Sequence, residues 1–330
     1  MRPYISVIVT AYNRTDFLQD SLGSLLDQTL PLDEFEVLLI TNFKFNTDPY
    51  CALHIRHFIM EGTAGEFMLR GLELSEGDVI CFLDDDDIFL KDKLKIVKNI
   101  FHNYPDVDYY RHNFKEVNYK KEAVSRNSVK KLKNDSYIPS SAFKDNLTYL
   151  TLSEVFFNSS TICIRRKLVS KNDDFFFKAK LPPDLMLWII AVAKTNAVLL
   201  NKAELSLYRI HEKSVIHSTK GEKKYQCIEN STVAFLSDYK VHDRIRDILL
   251  SLIKIREEVG SALFCTYKFS FRHYIMNFMM ILLSDNRFKA MLTLLKKTRL
   301  MSKPVIVKIL ENESSLVEQF AKFKKYLKVS

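Results

Sequence analysis

Four consecutive aspartates occupy residues 84–87 and directly follow the apolar segment 79–83. This segment, VICFL, is short and partly β-branched or aromatic, which predicts a buried strand of a parallel sheet. Adjacent carboxylates repel one another unless a cation lies among them, and Mg²⁺ and Mn²⁺ prefer oxygen ligands and bridge carboxylates to phosphates. Since ligands of open α/β sheets bind beyond the carboxyl ends of strands, this aspartate run predicts a metal and diphosphate site. The alternative is a solvated acidic turn.

The first hundred residues alternate between strand and helix patterns. The predicted strands are residues 4–10, 35–40, 55–59 and 79–83, and the predicted helices are residues 16–28, 66–74 and 92–101. Asn13 and Thr15 are candidate N-caps of the first helix. This order predicts an α/β fold with a mainly parallel sheet flanked by helices. The polar, Lys-rich segment 115–133 predicts a mobile loop above the site.

Composition narrows the classes of function. The chain has seven glycines and contains neither GxGxxG nor GxxxxGK[ST], so dinucleotide-binding and P-loop sites lose their main sequence support. Its five cysteines are widely spaced without a CxxC pair, which predicts free thiols in a reducing compartment rather than a zinc site or a disulfide framework. A strand pattern begins at residue 4, so we expect no signal peptide and a cytoplasmic protein.

The net charge of +9 is concentrated in the last third of the chain. Residues 1–220 hold 29 basic and 29 acidic side chains, whereas residues 221–330 hold 20 basic and 11 acidic ones. The longest apolar run of that last third, 278–283, is far shorter than the ~20 residues of a membrane span. Together with helical apolar spacing, the charge predicts a basic helical region that binds peripherally to anionic lipids at the inner face of a membrane, or forms a homo-oligomer interface. The alternative is an ordinary solvated helical subdomain, and without a nucleic-acid motif we expect no nucleic-acid partner.

Eight segments, in the same order along the chain, resemble family 2 glycosyltransferases of the GT-A fold. They are residues 5–14 (ISVIVTAYNR), 17–18 (FL), 24–29 (SLLDQT), 35–37 (FEV), 77–87 (GDVICFLDDDD), 159–169 (SSTICIRRKLV), 182–188 (PPDLMLW) and 208–214 (YRIHEKS). The resemblance extends over residues 4–218 and is more specific than any single motif. It implies a GT-A catalytic domain over residues 1–220, followed by the basic helical region over residues 221–330.

The resemblance also implies a chemistry. Members of this family take a sugar from a nucleotide-diphosphate sugar donor and transfer it to an acceptor hydroxyl, which here would belong to a glycan, a polysaccharide or a lipid-linked acceptor. A divalent cation, Mn²⁺ or Mg²⁺, would neutralise the charge that grows on the leaving nucleoside diphosphate. Two alternatives stay open, a sugar-phosphate nucleotidyltransferase on a similar sheet and a non-catalytic sugar- or nucleotide-binding scaffold with the same fold.

The aspartate run matches the family's DxD motif. This match implies that Asp84 and Asp86 bind the metal, with Asp84 also facing the ribose of the donor. The same resemblance places Asp87 in the metal shell and assigns Asp85 to the nucleotide sugar. In the closing segment it places His211 at the metal or the diphosphate.

The nucleotide is expected at the ends of the first two strands. The resemblance implies that Ala11, Tyr12 and Asn13 form the nucleotide-binding edge, and that Arg209 pairs with phosphate or with an acidic neighbour. Where family members commonly carry Asp-Asp-Gly-Ser, this chain has Thr-Asn-Phe-Lys at residues 41–44. Asn42 can still donate and accept hydrogen bonds, but the identity of the base stays open.

Asp184 is the candidate general base. The resemblance implies an inverting transfer, in which one carboxylate takes the proton of the acceptor hydroxyl as its oxygen attacks the anomeric carbon. Asp184 follows two prolines and precedes an apolar, helix-like stretch, so a plain helix N-cap is the alternative role. Asp173 and Asp174 are alternative bases.

Overall fold

The computed structural model describes residues 3–124, 131–142, 155, 157–170 and 183–211. The basic helical region predicted over residues 221–330 lies outside these residues, as do the alternative bases Asp173 and Asp174. The described residues contain the aspartate run and all the other candidate site residues.

A single mixed sheet forms the centre of the domain. Within the described residues its nine strands are β1 (Ile5–Ala11), β2 (Phe35–Thr41), β3 (Arg56–Ile59), β4 (Val79–Asp84), β5 (Ile88–Phe89), β6 (Val107–Val117), β7 (Ser136–Pro139), β8 (Ile162–Arg165) and β9 (Ala197–Arg209). Their order is β3-β2-β1-β4-β8-β6-β9-β5, and β7 pairs with β9. The first four strands are parallel, as predicted, but β8 is antiparallel to both β4 and β6. The sheet is therefore mixed, with its longer ladders parallel and its shorter ones antiparallel.

Helices cover both faces of this sheet. In the part of the chain that the structure describes they are α1 (Leu18–Leu26), α2 (Ala64–Leu74), α3 (Lys93–Asn103) and α4 (Pro183–Lys194). Successive strand residues point to opposite faces, so Val7 packs in one core with Leu22 of α1, while Ile8 packs in the other core with Met68 of α2 and Trp188 of α4. The α/β prediction is confirmed. None of these described helices combines the length and apolarity needed to cross a bilayer.

The helix starts differ from the sequence prediction. Helix α1 begins at Leu18, and its N-cap residue, Phe17, makes no side-chain capping bond. The prediction that Asn13 or Thr15 caps this helix is therefore wrong. Helix α2 begins earlier than predicted, because the side chain of Thr63 accepts a hydrogen bond from the backbone N–H of Glu66 in a capping box.

Two glycines allow close contacts around β1. A Cβ atom on Gly71 of α2 would lie 2.4 Å from Cγ2 of Ile8, and one on Gly77 would lie 2.6 Å from the backbone nitrogen of Ser6. Both distances are shorter than van der Waals contact. Glycine at these positions therefore lets α2 and the start of β4 pack directly against β1, which precedes the candidate nucleotide edge.

The described cysteines are free thiols, as predicted. Cys51 is exposed, whereas Cys81 of β4 and Cys163 of β8 are buried and lie directly opposite each other in the antiparallel pair. Their Sγ atoms are 3.4 Å apart, a hydrogen-bonding distance. This pair lies where the parallel half of the sheet meets the antiparallel strand β8.

The Lys-rich segment 115–133 is only partly a loop. Strand β6 continues through Val117, and residues 118–122 form a turn closed by a bridge between Val117 and Ala123. Residues 125–130 lie outside the described residues. The tip of this turn reaches the site, because the backbone oxygen of Tyr119 accepts a hydrogen bond from Arg209.

Candidate functional site

The aspartate run lies at the carboxyl end of β4, between the carboxyl end of β1 and the start of the antiparallel strand β8. Its residues alternate in exposure. Asp84 and Asp86 are partly exposed, while Asp85 and Asp87 are only 6% and 1% exposed. The backbone of the run is fixed by Ser21 of α1, whose Oγ lies 2.9 Å from the carbonyl oxygen of Asp85 and 2.7 Å from that of Asp87. The DxD pair is thus the accessible pair.

Arg14 contacts two aspartates of the run. Its Nε donates to Oδ2 of Asp85 at 2.8 Å, and its Nη2 donates to Oδ1 of Asp85 and to Oδ2 of Asp86, the latter at 2.6 Å. Burial still raises the pKa of Asp85 to about 6, although the hydrogen bond and charge of Arg14 oppose this rise. Sequence reasoning assigned no role to Arg14, although it lies in the family-like segment 5–14. Its position as a basic residue shortly after the end of β1 could have indicated that it contacts the aspartate run.

Asp86 and His211 are neighbours, as the resemblance implied. The Nε2 atom of His211 lies 3.0 Å from Oδ2 of Asp86, and the imidazole ring packs on Phe17 with ring centroids 4.8 Å apart. Burial acts to raise the pKa of Asp86, but the hydrogen bond with His211 and the charge of Arg14 outweigh it and lower that pKa. Asp86 is therefore ready to act as an anionic ligand.

The contacts of Asp84 come from the segment that precedes β8. The hydroxyl of Ser159 lies 2.9 and 2.8 Å from its two carboxylate oxygens, and the backbone N–H of Asp84 donates to Oγ of Ser160 at 3.0 Å. Burial and the charges of Asp87 and Asp86 raise the pKa of Asp84 well above its ordinary value. A cation at this position would favour the ionised form that ligation needs.

Asp87 is held by protein groups on both oxygens. Nδ2 of Asn158 donates to its Oδ2 at 2.8 Å, and the backbone N–H of Arg209 donates to its Oδ1 at 3.1 Å. Burial and the neighbouring charge of Asp86 raise the pKa of Asp87 to about 7. With 1% of its surface exposed, Asp87 supports the run from behind through these hydrogen bonds, and its place in the metal shell stays a prediction.

Arg209 also supports the run. Its side chain is 1% exposed and donates to the carbonyl oxygens of Asp86 at 2.9 Å and Tyr119 at 2.8 Å, and to the carboxylate of Asp20 at 2.7 Å. The guanidinium also lies 4.4 Å from the ring centroid of Phe17. Of the two partners predicted for Arg209, the described structure shows the acidic neighbour, Asp20, because the buried guanidinium bonds to protein oxygens.

Asp184 lies in the first turn of α4 and is partly exposed. Its Oδ2 accepts a hydrogen bond from the backbone N–H of Asn158 at 3.2 Å, and its Oδ1 lies 2.9 Å from the backbone nitrogen of Leu185. Asn158 therefore joins Asp184 to Asp87. It has a φ of 66°, a left-handed conformation that asparagine tolerates better than most residues. Sequence reasoning missed Asn158, which directly precedes a family-like segment.

The residues expected to form the nucleotide edge lie at the carboxyl ends of β1 and β2. The side chains of Asn13 and Asn42 meet there, since Nδ2 of Asn42 donates to Oδ1 of Asn13 at 2.7 Å and the backbone N–H of Asn13 donates to Oδ1 of Asn42 at 2.9 Å. Tyr12 is 51% exposed and its ring lies edge-on to Phe67. Ala11 is buried, so it can contribute only its backbone and Cβ to this edge.

A buried lysine lies behind the run and was not predicted. Lys93, at the start of α3, is 0% exposed, and its Nζ donates to the carbonyl oxygen of Ser160 at 2.6 Å. The same Nζ lies 3.3 Å from the ring centroid of Phe89. Burial lowers the pKa of Lys93 to about 8, while the charges of Asp87 and Asp84 act to raise it.

The donor set suits a hard divalent cation with few protein ligands. Oδ2 of Asp86 is an oxygen ligand of the kind that hard cations prefer, and it lies 3.0 Å from Nε2 of His211 in a hydrogen bond that a bound cation would replace. No cluster of three or more His, Cys, Asp or Glu side chains arranged as a metal cage is present among the described residues. Such an open set is typical of Mg²⁺ and Mn²⁺ sites that are completed by water and substrate phosphates.

The sheet order and the position of the aspartate run define a GT-A domain, and similar solved structures share this fold. The structure of Staphylococcus aureus TarS residues 1–349 in complex with UDP-GlcNAc aligns with a TM-score of 0.57 at 17% identity and covers 85% of this chain and 81% of that one. A mannosyltransferase, PcManGT of Pyrobaculum calidifontis, in complex with GDP-Man and Mn²⁺, aligns with a TM-score of 0.54 at 13% identity and covers 93% and 83%.

The chain belongs to glycosyl transferase family 2, whose family model matches residues 6–172. It is 32% identical over 96 residues to the glycosyltransferase AglE of Haloferax volcanii, which covers 26% of this chain and 31% of AglE. It is 24% identical over 263 residues to the poly(ribitol-phosphate) beta-N-acetylglucosaminyltransferase TarS of S. aureus, which covers 75% of this chain and 40% of TarS. The chain thus spans well under half the length of these two curated relatives.

Proposed function

We propose that the protein is a metal-dependent, inverting glycosyltransferase that moves a sugar from a nucleotide-diphosphate sugar to an acceptor hydroxyl. The observation that carries this proposal is the accessible pair Asp84 and Asp86 at the carboxyl end of β4, joined through Asp87 and Asn158 to the carboxylate of Asp184. Membership of glycosyl transferase family 2 favours this function over a sugar-phosphate nucleotidyltransferase. The partial exposure of Asp84, Asp86 and Asp184 argues against a purely structural scaffold.

The donor diphosphate would bind over the accessible pair of aspartates. Asp86 and His211 would hold Mn²⁺ or Mg²⁺ together with the phosphates of the donor, while Asp84 would face the ribose. The cation would neutralise the negative charge that develops on the leaving nucleoside diphosphate. The Asn13–Asn42 pair and the exposed ring of Tyr12 would contact the nucleoside. Asp87 and Arg209 would keep the backbone of the run in place without touching the ligand.

Asp184 would act as the general base. A base of this kind must ionise, reach the acceptor hydroxyl and hold a fixed orientation. The partial exposure of Asp184 allows access, and the N–H group of Asn158 orients its Oδ2. Asp184 is the second residue of α4, so it lies inside the first turn rather than at the N-cap position that the sequence offered as its alternative role. A carboxylate in this first turn still interacts favourably with the helix dipole.

The acceptor is proposed to be a glycan, a polysaccharide or a lipid-linked saccharide. The excess of nine positive charges in residues 221–330 suits an anionic membrane surface at which a cytoplasmic enzyme would meet such an acceptor. This assignment divides the chain into a catalytic domain over 1–220 and a basic region over 221–330. Co-sedimentation with vesicles of 30% phosphatidylserine, but not with neutral vesicles, should require residues 221–330 and weaken as salt is added.

A binding and turnover experiment tests the donor site. Thermal unfolding would be followed with UDP, GDP, ADP, CDP and dTDP, each with and without Mn²⁺ or Mg²⁺, because a ligand that binds only the folded state raises the melting temperature. One nucleotide should raise it only with metal. Asp86→Ala should lose this shift, whereas Asp184→Asn should keep it and lose at least 100-fold in transfer or donor hydrolysis. Equal loss of binding in both variants would contradict the proposed division of roles.

A further inference from the structure

Arg14 connects a buried aspartate of the run to an accessible one. Its side chain is 18% exposed and contacts Asp85 and Asp86, whose side chains are 9% and 13% exposed. Nη1 of Arg14 also lies 3.2 Å from Nε2 of His211, so the guanidinium is packed against the same two groups that would hold the cation.

The two aspartate contacts of Arg14 are unequal. Asp85 accepts from both Nε and Nη2 through its two oxygens, which is the bidentate geometry that makes arginine–carboxylate pairs strong. Asp86 accepts from Nη2 through one oxygen, Oδ2, and this oxygen is also in contact with His211. The bond to Asp85 is therefore the anchor, and the bond to Asp86 is the one more easily exchanged.

A divalent cation competes directly with the second contact. A cation bound to Oδ2 of Asp86 would lie within a few ångströms of the Arg14 guanidinium, and two positive groups at that distance repel each other strongly. A diphosphate, by contrast, offers two anionic oxygens to which the planar guanidinium of Arg14 can donate in a bidentate manner.

We propose that Arg14 exchanges Asp86 for the diphosphate of the donor when the cation binds, while it stays anchored on Asp85. This inference rests on the proposed function. Arg14 competes with the cation for Asp86, and Asp86 competes with the diphosphate for Arg14. The cation would release Arg14 from Asp86, and the diphosphate would stabilise the released side chain, so each ligand would favour the binding of the other. Metal and nucleotide binding would then be positively coupled through one side chain, and the coupling would be reciprocal.

Isothermal titration of four proteins tests this exchange. Wild type, Arg14→Ala, Arg14→Gln and the control Arg56→Ala would be titrated with Mn²⁺ alone, and then with the tightest of the five nucleoside diphosphates with and without Mn²⁺. Arg56 is the control because it also pairs with carboxylates, those of Glu36 and Glu76, but near the opposite ends of the strands. Arg14→Gln retains an amide donor toward Asp85 and provides the comparison where Arg14→Ala does not fold.

Removal of the Arg14 charge should have opposite effects on the two ligands. Both Arg14 variants should bind Mn²⁺ alone at least threefold more tightly, and should bind the nucleoside diphosphate in Mn²⁺ at least tenfold more weakly, with Arg56→Ala unchanged. If Mn²⁺ alone binds no more tightly to either variant, the exchange is overturned, while metal-dependent binding by wild type still supports the proposed function. If wild type binds none of the five nucleotides, both proposals fail.

Discussion

The aspartate run contains two pairs of identical side chains in different surroundings. Asp84 and Asp86 are partly exposed, whereas Asp85 and Asp87 are buried against Arg14, Asn158 and the backbone of Arg209. Burial raises the pKa of Asp87 to about 7, but His211 and Arg14 overcome the effect of burial and lower the pKa of Asp86. Four adjacent carboxylates therefore divide by exposure into an accessible pair and a supporting pair. The direction of each pKa shift depends on the individual surroundings of the carboxylate, since burial and neighbouring charges raise the pKa of the accessible Asp84 as well.

Removal of a supporting aspartate should mainly affect stability. Asp87→Ala leaves Nδ2 of Asn158 and the N–H of Arg209 without their buried acceptor, so we expect unfolding to become easier by about 3 kcal/mol. Urea denaturation measures this effect, and Asp87→Asn, which retains one acceptor oxygen, should lose less. If Asp87→Ala kept its stability but no longer bound Mn²⁺, Asp87 would act as a ligand together with the accessible pair.

The buried Lys93 behind the run should make the free energy of unfolding depend on pH. Its folded pKa of about 8 lies below its ordinary value of 10.5, so between these values the unfolded chain holds more protons and stability rises with pH. A shift of this size corresponds to at most ~3 kcal/mol between pH 7.5 and pH 10.5.

Lys93→Met should lack this rise, because methionine fills a similar volume without a titrating group. Lys98→Met, on the same helix but with its side chain 36% exposed, is the matched control. The quantity to compare is the difference in urea midpoint between the two pH values. Identical pH slopes in wild type and Lys93→Met would show that Lys93 is not a buried cation beside the supporting pair.

The smallest effect is expected at the residue that joins the run to Asp184. Asn158→Gly deletes the side-chain bonds to Asp87 and to the backbone N–H of Ser160, keeps the N–H that binds Asp184, and adopts the positive φ freely. We expect a loss of about 1 kcal/mol in stability and less than a threefold change in Mn²⁺ affinity. Asn158→Ala should lose about 1 kcal/mol more, since alanine is strained in the left-handed region. A large loss of Mn²⁺ affinity in Asn158→Gly would contradict the separate roles of the accessible and the supporting aspartates, because the only aspartate side-chain contact that it removes belongs to a supporting aspartate.

The parallel half of the sheet was predictable because its signals are local. Residues 79–83 and their neighbours follow simple apolar patterns, and both the strands and the α/β order are as predicted. Strand β6 was not predicted because it buries Asp108, Arg111 and His112, which interrupt the apolar pattern of a strand. The antiparallel strand β8 is only four residues long, so its direction in the sheet depends on tertiary pairing.

The candidate ligand-binding and catalytic residues were easier to predict from sequence than the residues that hold them in place. The run, His211 and Asp184 were found from residue type and resemblance, and the structure brings Asp86 together with His211. The roles of Arg14 and Asn158 depend on contacts with residues 71 positions away, which no local pattern contains. The near-complete burial of Asp87 and Arg209 was not predicted either, because burial of single side chains within a polar segment cannot be inferred from sequence alone.

The contact between Arg14 and His211 joins residues 197 positions apart. During synthesis, β1 to β4 can pair soon after they leave the ribosome, but Asp86 meets His211 only after all of β9 has been made. A nascent chain would therefore carry the aspartate run for more than a hundred residues of elongation before its complete set of partners exists. Nucleotide binding by ribosome-bound chains of increasing length should begin only once His211 has emerged.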